Sequence, residues 1–157
     1  MAIESEFMNT MRGKLVTLLD STTVAAGVDG SVDGAWVTNL QGYTRCTLML
    51  TVSAKTMDDS TTLDVRVQYS PDEGTTADDI VAFAQITNEA VANGKYIVVL
   101  NGVPVAGATD KAVANGTLAA GTLINIPWCD RMRVKYTKAN FAGTDTVTIK
   151  VQGYFQA

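Results

Sequence analysis

Three pairs of neighbouring carboxylates, Asp58-Asp59, Asp72-Glu73 and Asp78-Asp79, are the groups in this chain whose type and spacing come nearest to chemistry. Two carboxyl groups can cleave a glycosidic bond when they face one another across a cleft. Adjacent residues of a strand point to opposite faces, and each pair lies where the sequence turns, so these side chains read as turn formers and solubilising tips. A calcium ion shared between tips is the other use they could have. The run Asp29-Gly30-Ser31-Val32-Asp33-Gly34 spaces two aspartates as in a calcium loop, yet lacks the further oxygen ligands and the distal glutamate of such a loop. There is no histidine, which removes the Ser-His-Asp triad, the Cys-His pair and most zinc sites together. No GxGxxG or P-loop spacing precedes a helical pattern. The sequence therefore predicts no enzyme, no catalytic residue, no metal site and no cofactor.

The sharpest remaining charged feature is a basic row, Arg131, Arg133 and Lys135, alternating with Met132, Val134 and Tyr136. Such a row either pairs across strands with Asp64 or other acids on a solvated sheet face, or it meets an acidic partner. Charged residues make up 18% of the chain and the net charge is −4, which leaves no electrostatic footprint for nucleic acid. With 46% apolar residues, such a low charge density suits a surface that neighbours occlude. No run reaches the roughly 18 apolar residues of a membrane helix. The opening Met1-Ala2-Ile3-Glu4-Ser5-Glu6-Phe7 has neither the basic nor the apolar region of a secretory signal. Synthesis in the cytosol is expected, and with it two buried, reduced thiols at Cys46 and Cys129 rather than a disulfide.

Strands must position these groups. Leu63, Val65, Val67 and Tyr69 alternate with Asp64, Arg66 and Gln68, the period of a half-buried β-strand. The alternation stops at Ser70-Pro71-Asp72-Glu73-Gly74, where the chain must reverse before Ile80 to Ile86 pairs back. Further strands are predicted from Lys14 to Asp20, at Trp36-Val37, from Thr44 to Ser53 with Cys46, Leu48, Leu50 and Val52 inward, from Tyr96 to Leu100, from Leu123 to Ile126, from Arg131 to Thr137 and from Thr146 to Phe155. Met57-Asp58-Asp59-Ser60 is read as a tight return that makes strands 44–53 and 62–69 antiparallel neighbours, and Gly153 as a bulge. Asn101 to Gly121, nearly all small or apolar, is an ordered excursion. The result is an all-β, antiparallel β-sandwich of about eight strands, a jelly roll. It forms a single domain over 14–157, preceded by an N-terminal arm over 1–13 whose Ile3, Phe7, Met8 and Met11 fit neither period.

Leu63-Asp64-Val65-Arg66-Val67-Gln68-Tyr69-Ser70-Pro71-Asp72, Asp78-Asp79-Ile80-Val81-Ala82-Phe83 and Arg131-Met132-Arg133-Val134-Lys135-Tyr136 together resemble segments of the small β-sandwich virion structural proteins of tailed bacteriophages. In those proteins a strand ending in Q-x-S-x-D-G, a Trp or Asp-Asp with a following Phe, and a later R-V-x-Y strand recur. The likeness spans residues 55–155, with Glu73 standing before Gly74 and Ala77 or Asp78 where the family often has tryptophan. The resemblance implies a capsid decoration (cement) protein, made in the host cytoplasm and carried in the virion. It also implies the major capsid protein as partner, a homotrimeric state and no active site. Partner contacts are expected at Ile3, Phe7, Met8 and Met11 of the arm and at Arg131, Arg133 and Lys135. The alternative is a carbohydrate- or host-surface-binding module of a tail or head fibre, with Trp36, Trp128, Tyr43 and Tyr154 as a stacking platform.

Overall fold

The computed structural model describes residues 13–90, 94–102, 118–126, 128 and 130–157. The arm through residue 12, residues 103–117 of the small-residue excursion, and Cys129 lie outside the described residues. Nine strands form among those described: β1 (Lys14–Ala25), β2 (Gly30–Asp33), β3 (Arg45–Thr56), β4 (Thr62–Tyr69), β5 (Asp78–Ala82), β6 (Lys95–Asn101), β7 (Thr122–Leu123), β8 (Met132–Ala139) and β9 (Thr146–Gln156). They make two antiparallel sheets, β1-β9-β3-β6 and β2-β8-β4-β5-β7.

The pairings β4 with β5, β3 with β6, β2 with β8 and β1 with β9 are nested, each enclosing the one before. The chain is thus one long ribbon rolled into a sandwich, with the turn at 70–77 as its tip, and this is a jelly roll. Two left-handed residues, Glu73 at φ 58° and Gly74 at φ 95°, reverse the ribbon at that tip. The serine and aspartate beside them complete the turn. Ser70 Oγ accepts from Gly74 N at 2.7 Å, and Asp72 Oδ1 accepts from Thr76 N at 2.7 Å.

Alternation selects the core. Cys46, Leu48, Leu50 and Val52 of β3, Leu63, Val65 and Val67 of β4, Met132 and Val134 of β8, and Val147, Ile149, Val151 and Phe155 of β9 are all buried between the sheets. Phe155 packs at the centre of one end, its ring 6.0 Å from that of Trp128 and 5.7 Å from that of Tyr43. Cys46 is a free, buried thiol, and burial pushes its pKa up to about 12. Because the thiolate is the reactive form, Cys46 is expected to resist alkylation in the native protein and to react fully once the chain is denatured. Mass spectrometry of labelled peptides checks this, and native labelling of Cys46 at the rate of a free thiol contradicts it.

Two sequence expectations are corrected. Strands β3 and β4 are not sheet neighbours: both edges of β3 are taken by β6 and β9, and both edges of β4 by β5 and β8. The link between them crosses from one sheet to the other. Met57 and Thr61 are buried in it, and Asp145 Oδ1 accepts from Asp58 N at 3.0 Å. Gly153 is not a bulge either, since it pairs in regular register with Val16 and Leu48. The register shifts in the pairings of β9 lie in β1, between Thr17 and Leu19 and between Leu19 and Thr22, and in β3 between Val52 and Ala54; a further one lies between β4 and β5 at Val67/Gln68.

Candidate functional site

The two outer faces of the sandwich differ in kind. On the five-stranded sheet, alternation directs Arg66 and Gln68 of β4 outward, where β5 brings Asp79 and β8 brings Arg133 alongside. Gln68 Nε2 donates to Asp79 Oδ1 at 2.7 Å, Arg133 Nε donates to Gln68 Oε1 at 3.0 Å, and Arg133 Nη2 reaches Asp33 Oδ2 of β2 at 3.0 Å. One polar ladder therefore crosses four strands. Gln68 and Asp79 are buried within it. Leu118 closes the β5 side, its carbonyl accepting from Arg66 Nη2 at 3.4 Å, while Arg66 Nε lies 3.5 Å from Asp79 Oδ2. Trp36 closes the other side, with the Arg133 guanidinium 4.8 Å from its ring centroid.

The basic row expected to meet a partner is engaged inside the chain. Arg131 forks onto Asp130 at 2.9 and 3.0 Å and donates to the Glu73 carbonyl at 2.5 Å, holding the Asp130 carboxyl below the ordinary carboxylate range. Arg133 and Lys135 share Asp33, the latter at 4.0 Å. The acid that serves Arg133 and Lys135 comes from β2. Asp64 instead stands opposite Thr137 and accepts from Gln85 at 3.0 Å. Sequence alternation places the cations on one face but does not reveal that β2, a short and wholly exposed strand, supplies the counter-ion of Arg133 and Lys135.

The acidic pairs do not converge on a cleft. Asp72 is occupied by its own turn and Asp79 by Gln68, and Asp59 accepts from Asn88. Among the described residues no group of three or more His, Cys, Asp or Glu side chains is placed to hold a metal ion.

The face of the four-stranded sheet is apolar. Register sets Leu15, Tyr154, Thr47 and Val99 in one row across β1, β9, β3 and β6, and Thr17, Gln152, Met49 and Ile97 in the next. Leu15 is 62% exposed, Ile97 63%, Val99 42% and Tyr154 41%, so most of the large exposed apolar side chains described in the molecule gather here. A shallow depression runs between Leu15, Met49, Ile97 and Tyr154. Arg45 lies beyond one end of these rows, and Lys95 and Lys150 beyond the other. Strands β3, β6 and β9 contain no aspartate or glutamate at all. The one acid of β1, Asp20, falls in its bulge, where it accepts from Ser21 N. The signal in the sequence was the unbroken run Tyr96-Ile97-Val98-Val99-Leu100, which makes this strand apolar on both faces.

No protein-family model matches the chain, and no curated protein sequence matches it. A solved structure described as "Structure of infectious bursal disease virus Gx strain" aligns with 92% of this chain at 13% identity and a TM-score of 0.36. The alignment spans 42% of that structure's chain, and a likeness this slight gives no ground for assigning function.

Proposed function

We propose that this chain is a virion structural protein of the capsid decoration type, which binds the outer surface of a phage head as a homo-oligomer and stabilises it. The observation that carries the reading is a jelly roll whose four-stranded sheet turns an apolar face outward, over strands β3, β6 and β9 that contain no carboxylate. Contiguous apolar surface of this sort marks contact with other proteins. The segment likeness to phage virion proteins supplies the rest: a shell built of the major capsid protein as partner, a trimer as the assembled form, and the virion as location. The carbohydrate-binding alternative lacks its platform, because Trp128 is buried with its indole N–H donating to the Leu40 carbonyl at 3.2 Å, Trp36 stacks on Arg133 and Tyr43 packs on Phe155, which leaves Tyr154 as the exposed ring of the four.

Electron microscopy of the source particle tests the proposal by looking for this chain in stoichiometric copies on the shell, and its absence from purified particles overturns it. The arm gives a second handle. Deleting residues 2–12 is expected to leave the melting temperature within a few degrees, since Ile3, Phe7, Met8 and Met11 fit neither the strand nor the helix period. The same deletion is expected to weaken binding to undecorated particles at least tenfold, equivalent to about 1.4 kcal/mol. Co-sedimentation with such particles measures it, and undiminished binding places attachment outside the arm.

A further inference from the structure

We infer that the apolar face of the four-stranded sheet is the seat for residues 1–12 of a second copy of this chain, so that the protein assembles by exchange of N-terminal arms. The inference is independent of the shell reading and concerns only how copies join.

Three observations select this occupant. The first is charge. A second copy cannot stack the same face on itself, because Arg45, Lys95 and Lys150 would meet their own kind with no carboxylate in β3, β6 or β9 to offset them. The occupant must bring apolar side chains and acids together. Residues 1–12 do so: Ile3, Phe7, Met8 and Met11 supply the apolar groups, Glu4 and Glu6 the acids, and Arg12 is the one basic side chain. The second observation is where the described chain begins. Gly13 precedes β1 at the sheet edge, beside Tyr154, whose ring sits where a side chain on residue 13 would go. The arm therefore leaves from the rim of the face. The third is direction. To cover its own face the arm must double back, yet residues 1–12 contain neither glycine nor proline, the residues that most favour a reversal. Continued outward in extended form, twelve residues reach up to ~40 Å, whereas four strands are only ~15 Å across. An adjacent copy is within range.

Complementation in the full-length chain tests this by sedimentation velocity at micromolar concentration. Phe7→Asp spoils the arm and leaves the face intact, and Ile97→Asp spoils the face and leaves the arm intact. The parent chain is expected to associate, each variant alone to do so at least tenfold more weakly, and an equimolar mixture of the two to regain a one-to-one complex through one sound arm on one sound face. Leu15→Asp serves as a second face variant, and thermal melting verifies that each variant is folded. A monomeric parent, a Phe7→Asp chain that associates as before, or face variants that associate as before each overturn the proposal. If both kinds of variant are monomeric and their mixture stays so, the arm acts within its own molecule and exchange is excluded.

Discussion

Replacing Phe155 with alanine is expected to lower the unfolding free energy by about 3–5 kcal/mol, a large part of the total for a domain of this size. The side chain is fully buried and carries the contact between Trp128 and Tyr43 at one end of the core. Cys46, its cross-strand partner, and Leu48 belong to β3, which is paired on both edges and cannot close over the space. Gly153 makes the argument sharper. A Cβ at that position would lie 2.6 Å from Phe155 Cε2, 3.1 Å from Cys46 Sγ and 3.2 Å from Leu48 Cδ2. Gly153→Ala is therefore expected to destabilise by about 1–3 kcal/mol through overpacking. With Phe155 reduced to leucine the same alanine should cost less, since the nearest clash is gone. Urea titrations of the two single variants and the double variant measure the coupling, and strictly additive losses count against this account of the glycine.

Acid should unfold the protein in large part through Asp145. Its carboxylate is buried and accepts three bonds: from Asp58 N at 3.0 Å, from Thr61 Oγ1 at 2.8 Å and from Ala142 N at 3.0 Å. It ties the turn after β8 to the link between β3 and β4. The Ala142 backbone N–H, followed by the Thr61 hydroxyl, holds its pKa below the ordinary carboxylate value. A carboxylate depressed in the folded state adds stability that is fully present above its unfolded pKa and is lost as pH falls through the folded one. Asp145→Asn should therefore flatten the acid limb of a stability-against-pH curve and lower the melting temperature at neutral pH. An unchanged acid limb in Asp145→Asn would show that other carboxylates govern the transition.

The faces of the strands were legible before the partners of the strands. A period of two says which side chains go inward, and every inward residue named for the strand at 44–53 is buried. The hairpin tipped at Ser70-Pro71 was legible as well, because local turn chemistry fixes a neighbour. Where no tight turn intervenes, periodicity does not distinguish a return within one sheet from a crossing to the other, and the link at 57–61 was misread for that reason. Asp79 illustrates a second limit. In sequence it is one of two adjacent acids at a tip, and only the pairing of Gln68 with Asp79, together with Leu118 above it, shows it to be buried. The basic row was visible as a row, but the counter-ion of Arg133 and Lys135, Asp33, sits about a hundred residues earlier in the chain.

The nested ribbon also sets a schedule for folding. The pair β4/β5 closes over the short turn at 70–77, while β3/β6, β2/β8 and β1/β9 enclose progressively longer stretches of chain. Closing entropy rises with each enclosure, so zipping outward from the tip is the route of least cost. β9 lies between β1 and β3, and on a ribosome neither of those strands has its shared partner until the last of the nine has emerged. Until then β1 has no partner and β3 keeps one open edge, which makes rapid closure of β9 a defence against sticking to other chains.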